Sequence, residues 1–274
     1  MKVRASGYST PEFIHLEIIE MNPLATHLAL RSRLTFTALV LCILAGPVSA
    51  SDWDASLGLS GGSIQRHVKG ENDQHVVVPY ADLRWGMMMA NPEGIGLVTS
   101  PTSSSKLKVM VQLRQSVFDP DDNKVLAALD DRDDTGELLI KWGQATPWVD
   151  LAIFASADVL DRHGGHEWGI AVSRELPAWG GALVPSIDVR QQSRRLVDYY
   201  YGVSQQEASA NIAAYEGEKS VVMRTSVSHV QKLGSDWHSV FAFGYEHLGD
   251  GAGESSIVER KGFWSGGVAI FYQF

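Results

Sequence analysis

From Trp53 to the C-terminus, apolar and polar residues alternate with a period of two. In Trp237–His247 the odd positions Trp237, Phe241, Phe243 and Tyr245 oppose His238, Ala242, Gly244 and Glu246. Leu107, Val109, Val111 and Leu113 oppose Lys108, Gln112 and Arg114. Leu183, Ile187 and Val189 oppose Ser186, Asp188 and Arg190, and Val221, Met223, Thr225 and Val227 oppose Arg224, Ser226 and Ser228. Neighbouring side chains of a strand point to opposite faces, so this pattern predicts β-strands with one apolar and one polar face.

A soluble sandwich alternates too. Two features favour a membrane barrel instead. Aromatic residues (Trp53, Trp85, Trp142, Trp148, Trp168, Trp237, Tyr245) cluster at the ends of the apolar faces, where a bilayer has its interfaces. The chain also finishes on a strand: Trp264, Gly266, Val268, Ile270, Tyr272 and Phe274 share one face up to the last residue. Such a strand is unpaired until it closes the ring against the first. Val268, Ile270, Tyr272 and Phe274 form the pattern expected of a signal for the outer-membrane assembly machinery.

Connections alternate in length. Counting back from a periplasmic C-terminus, 249–262, 193–218, 158–165 and 119–135 are outer loops, while 233–235, 176–181 and Thr146-Pro147 are inner turns. Nearer the N-terminus the rule fails. Trp53–Gln65, His75–Met89 and Gly94–Thr99 give an odd total, which leaves ten and twelve strands both open. The expected fold is all-β, a transmembrane antiparallel up-and-down barrel of ten to twelve strands.

The barrel occupies 51–274, and the residues before it read as a targeting segment. Arg31 and Arg33 precede the 12-residue apolar run Leu34–Ala45, too short to span a bilayer. Gly46-Pro47 breaks that run, and Val48-Ser49-Ala50 places small residues before a cleavage site at Ala50–Ser51. Residues 21–50 are thus a signal peptide, and 1–20 an over-called start or a disposable extension. The lone cysteine, Cys42, follows Leu41, which does not suit a lipoprotein acylation site. The expected location is the cell outer membrane.

The formal net charge is −9; residues 1–50 carry +1, which leaves −10 on the remainder and no electrostatic footprint for nucleic acid. His163, His166 and Glu167 lie in a Gly-containing stretch read as a turn, without the helical frame of a zinc site. The acidic runs 119–122 and 130–134 lack the ligand order of a calcium loop and read as solvated. Ser228 and His229 are strand neighbours on opposite faces and cannot act as a pair. No metal, cofactor or catalytic residue is assigned.

Three stretches taken together resemble the MipA/OmpV family of MltA-interacting outer-membrane proteins. They are Leu129-Asp130-Asp131-Arg132, then Asp198-Tyr199-Tyr200-Tyr201-Gly202-Val203-Ser204 with Glu207 and Tyr215 behind it, and Glu254-Ser255-Ser256 before the closing strand. The resemblance runs from about Trp53 to Phe274. It implies a non-enzymatic barrel that scaffolds peptidoglycan remodelling, with a lytic transglycosylase and a peptidoglycan synthase as partners beside lipid and lipopolysaccharide. A small passive pore and a surface adhesin or stress-response barrel remain alternatives. The three stretches are expected to meet at one end of the barrel. Tyr199–Tyr201 read either as rim aromatics that order a long loop or as a recognition surface.

Overall fold

The computed structural model describes residues 53–274. The segments assigned to the extension, the signal peptide and the Ala50–Ser51 cleavage lie outside the described residues. In chain order the strands are β1 (Trp53–Ile64), β2 (Gln74–Trp85), β3 (Met88–Asn91), β4 (Gly94–Thr102), β5 (Ser105–Arg114), β6 (Thr135–Ala145) and β7 (Asp150–Asp158). They continue as β8 (His166–Ser173), β9 (Leu176–Ala178), β10 (Gly181–Gln192), β11 (Ser220–Lys232), β12 (Trp237–Leu248) and β13 (Gly262–Gln273). Two helices, α1 (Arg194–Tyr201) and α2 (Asp250–Gly253), lie in the long connections.

Every strand pairing is antiparallel, and the order closes on itself. β13 pairs with β1, with Leu57 opposite Tyr272 and Leu59 opposite Ile270, and β11 pairs with both β10 and β12. The short β9 pairs only with β10 and stands outside the ring, because β8 pairs with β10 directly. The result is a closed barrel of twelve strands.

The odd strand total has a local cause. His75–Met89 is not one strand: the chain turns at Gly86, whose φ of +57° suits glycine, and β3 returns for four residues. The inner turn at 176–181 likewise contains β9, joined to β10 through Trp179 (φ +49°) and Gly180 (φ +76°). Positive φ at both central residues is the geometry of a tight hairpin turn matched to strand twist.

Outward positions form an apolar belt: Leu59 is 62% exposed and Val77 76%, with Ile95, Val111, Ile153, Ile170 and Phe243 also exposed. A continuous belt of this kind suits lipid and is rare on soluble proteins. Trp53 stacks on Trp85 with ring centroids 5.8 Å apart, and Trp237 meets Tyr272 edge-on at 5.5 Å. These rings sit at the end of the barrel that carries the short turns.

One seam is thin. The β2–β3 ladder covers only Leu83–Trp85, and the rest of β2, which includes Pro79, has β1 as its ladder partner. Proline fits there because an edge needs no N–H. The flanking loops are tied together: the Asn123 side-chain amide donates to Lys69 O (2.8 Å) and Glu71 Oε1 (2.9 Å), and Arg66 donates to Val117 O (3.0 Å).

Candidate functional site

The long connections 65–73, 115–134, 193–219 and 249–261 all leave one end of the barrel, and there they pack into a cap with its own core. Val68, Phe118, Leu126, Leu129, Tyr200, Tyr201, Val203, Ile212 and Ile257 are among its buried members. Tyr199–Tyr201 are the last turn of α1 rather than a loop. Leu196, Val197, Tyr200 and Tyr201 fall on one helical face and are buried, while Tyr199 is half-buried. Gly202 follows because a Cβ there would stand 2.2 Å from Asp198 O.

The cap brings the three resembling stretches together. Arg132 donates to Glu207 Oε1 (2.8 Å) and to the carbonyls of Asp130 (2.9 Å) and Gly202 (3.3 Å). Glu207 also accepts from Asp130 N (2.9 Å) and Ser204 N (2.8 Å). Tyr199 Oη accepts from Asp133 N (2.8 Å), and Tyr200 Oη donates to Asp133 O (3.4 Å). From the third stretch, Ser255 Oγ donates to Tyr201 O (2.5 Å) and Ser256 Oγ to Ala213 O (2.6 Å). Val203 and Tyr215 exchange two backbone bonds of 2.8 Å. Asp131 stays exposed and takes no part in these contacts.

Beneath the cap the lumen is crossed by ion pairs. Glu137, with 0% side-chain exposure, accepts from Arg114 Nε (2.5 Å), Gln112 (2.9 Å) and Ser156 (3.0 Å), and His163 Nε2 lies 3.2 Å away. Arg114 also reaches Glu167 at 3.4 Å, Glu167 lies 4.0 Å from Arg190, and Arg190 pairs with Glu246. The chain of charges thus runs across β5, β6, β8, β10 and β12. Lys108 pairs with Glu93 at 2.7 Å elsewhere in the lumen. Met89, Met110 and Leu139 form an apolar cluster there, and Tyr80 and His238 stack on Phe271 nearer the turn end.

His166 and Glu167 belong to β8, not to a turn, and His163 is buried against Glu137; Glu167 serves the ion chain. Glu137 escaped the sequence reading because it follows the acidic run 130–134. Its signal was the alternation of Thr135, Glu137, Leu139 and Lys141 against Leu138, Ile140 and Trp142. Val268, Ile270, Tyr272 and Phe274 lie on the outer face of the closing strand or at its end, and Phe274 N donates to Ala55 O (2.9 Å).

Two titratable groups tie cap stability to pH. Burial, then the nearby Arg66 charge, push the His67 imidazole from 6.5 down to about 3. The ring stacks on Phe263 at 4.5 Å, with Nε2 3.0 Å from Tyr201 Oη. Burial alone would raise the Glu207 pKa, but the hydrogen bonds from Ser204, Asp130 and Arg132 outweigh it and hold the carboxyl at about 2. The unfolded cap protonates His67 below pH 6.5 while the folded cap keeps it neutral. That contribution is complete above pH 6.5 and declines as pH falls toward 3. The Glu207 contribution is complete above pH 4.5 and is lost toward 2. Amide protection in the cap should therefore fall between pH 7.5 and 4.5, with a flatter profile in His67→Gln. Equal protection at both pH values in the wild-type chain would contradict this.

The model of the family described as MltA-interacting protein MipA matches residues 57–274. The chain belongs to the MipA family. The putative outer membrane protein YiaT of Escherichia coli K12 is 22% identical to this MipA-family chain over 86% of it and 98% of the relative. The MltA-interacting protein of the same strain is 24% identical over 86% and 96%. Outer membrane protein OmpV of Vibrio cholerae serotype O1 is 24% identical over 57% and 61%. Among solved structures, the NanC porin aligns over 80% of the chain and all of its own length, at 9% identity and a TM-score of 0.41. With relatives named as outer-membrane proteins and a closed β-barrel with an apolar belt, this MipA-family chain is an outer-membrane β-barrel.

Proposed function

We propose that this barrel is a non-enzymatic scaffold that works through its rims rather than its lumen. The observations that support this reading are a cap with its own core over one end of the barrel and, beneath it, a chain of ion pairs that links β5, β6, β8, β10 and β12, with Tyr80 stacked on Phe271 nearer the turn end. The family description and the relative named MltA-interacting protein support a lytic murein transglycosylase as partner; a peptidoglycan synthase as second partner is proposed from the family resemblance alone. In this reading the capped end faces outward among lipopolysaccharide, and the turn end faces the periplasm and receives the transglycosylase. Cleavage at Ala50–Ser51 precedes insertion, and Val268, Ile270, Tyr272 and Phe274 are read by the assembly machinery.

The test is binding of the purified mature barrel in nanodiscs to the soluble domain of a lytic transglycosylase. We expect saturable binding that survives Asp131→Ala in the cap and weakens when the 233–236 turn is replaced by Gly-Ser residues. Absence of binding, together with steady ohmic currents from the same preparation, would replace the scaffold with a pore.

A further inference from the structure

Among the described residues β2 pairs with β3 over Leu83–Trp85 alone, whereas the closing β1–β13 ladder holds nine residue pairs. The cause is the length of β3, four residues, after which the β3–β4 hairpin turns back at Pro92-Glu93. From His75 to Ala81 one side of β2 thus has no strand partner among the described residues. Ser60 Oγ donates to Val78 O (3.5 Å), so the even-numbered carbonyls of β2 point to β1 and the odd-numbered backbone groups point to the open side. On that side His75, Val77 and Ala81 offer N–H and C=O groups, and Pro79 offers only C=O. Val77 and Pro79 are exposed in the apolar belt, where an open sheet edge is costly because lipid chains cannot hydrogen-bond.

A second copy does not fill this edge. Two copies paired in one membrane share the same up–down sense, so their symmetry axis lies along the membrane normal. Strands tilted by about 35–45° then cross at twice that angle and cannot form a ladder. The strand that does fit belongs to the same chain. β2 runs toward the turn end and β5 runs back from it, so the two are antiparallel. Val109 O and Val111 O stand against Gly96 and Gly94, so β5 also turns its odd-numbered backbone groups toward the hairpin. Val111 and Leu113 face outward as Val77 and Pro79 do, so odd opposite odd matches hydrogen bonds and side-chain faces together. The cap ends of the two strands are already joined, by Arg66 to Val117 O (3.0 Å) and by Asn123 to Lys69 O (2.8 Å). The β3–β4 hairpin is a wedge driven between β2 and β5 from the turn end.

We propose that this wedge is removable: the barrel has a second closed state of ten strands, in which β2 pairs directly with β5 and 86–104 is released as an arm at the turn end. The exchange is nearly balanced in hydrogen bonds. Three pairs to β3 and six between β4 and β5 are lost, the four within the hairpin can be kept, and the ten residues of β5 can pair with β2. Lys108 Nζ on Glu93 Oε2 (2.7 Å) and the packing of Met89 on Met110 and Leu139 hold the hairpin in. Pro79, with no N–H to give, leaves the direct ladder one bond short. Two packings of one sequence this close in energy make a switch. The arm carries Met87, Met88, Ile95 and Leu97, all exposed apolar side chains, to the end where the scaffold reading places its partner. The switch itself needs no partner and stands or falls apart from that reading.

The experiment is disulfide trapping in the purified mature barrel in lipid vesicles, since the only cysteine, Cys42, precedes residue 51. Leu83→Cys and Ala90→Cys face each other across the present ladder and should bridge readily. Leu83→Cys with Leu107→Cys or with Val109→Cys spans two intervening strands, about 14 Å, beyond the reach of a disulfide in the twelve-strand state. The control is Ile140→Cys with Val189→Cys, outward positions separated by β7 and β8, where the ladders are continuous. We expect intramolecular bridging of Leu83→Cys to Leu107→Cys or Val109→Cys at least about tenfold faster than in the control, and severalfold faster again with Glu93→Gln. In the wild-type chain a glutamate-specific protease should cut after Glu93, and the oxidised Leu83→Cys, Ala90→Cys variant should resist it until reduced. Bridging no faster than the control, or equal cutting after Glu93 with the hairpin locked and unlocked, would overturn the proposal.

Discussion

Glu137→Ala is expected to destabilise the barrel by about 3–5 kcal/mol, the usual cost of removing one partner from a buried ion pair. Glu137 is fully buried and accepts hydrogen bonds from Arg114, Gln112 and Ser156. Without it the Arg114 guanidinium keeps only the longer contact to Glu167 at 3.4 Å. Glu137→Gln preserves the volume and can still accept from Gln112 and Ser156, so its cost should be smaller, about 1–3 kcal/mol. An Arg114→Met, Glu137→Leu double variant removes both charges and should recover most of the loss, since well-packed apolar replacements of buried pairs are often neutral. Urea unfolding of the barrel in lipid vesicles measures all three. A double variant as unstable as Glu137→Ala would mean that the carboxylate acts through packing rather than charge.

Tyr200→Ala should act on the cap and leave the barrel wall intact. Its side chain is 2% exposed within the cap core, and truncation of a buried aromatic costs about 3–5 kcal/mol. The cap has no second core from which to make up that loss. The expected result is rapid proteolysis in 115–134 and 193–219 while the strands stay protected. Tyr200→Phe gives up only the 3.4 Å bond to Asp133 O and should cost about 1 kcal/mol. Comparison of protease nicking sites in the two variants checks both statements. Nicking within β5 or β6 of Tyr200→Ala would show that cap and barrel unfold together.

How much of this was legible in the sequence depended on how far periodicity reached. The closing strand was readable because Trp264 to Phe274 hold the period-two pattern for a whole strand, and its pairing with β1 follows from ring closure. β3 was not readable: four residues cannot show a period, and Met87-Met88-Met89 alternates nothing. The helix α1 was hidden for a different reason. Leu196, Val197, Tyr200 and Tyr201 have helical spacing, but three successive tyrosines favour strand or loop on propensity alone, and cap packing decides against propensity. Glu137 stayed unnoticed because its strand begins directly after an acidic run, at Thr135. The meeting of the three family stretches at one end was expected from topology. Their mutual grip through Glu207 and Ser255 was not, because the partners that join the stretches, Asp130 and Arg132 for Glu207 and Tyr201 for Ser255, lie 54 to 77 residues away in sequence.

The claim on which the rest depends is that the lumen is filled and the barrel works through its rims. Single-channel recording on the purified mature protein in planar bilayers tests it most directly. The wild-type barrel should be electrically silent, and Tyr200→Ala should show at most brief, flickering openings, because the ion chain around Glu137 still crosses the lumen below the opened cap. Steady, ohmic, long-lived conductance from the wild-type protein would contradict the account.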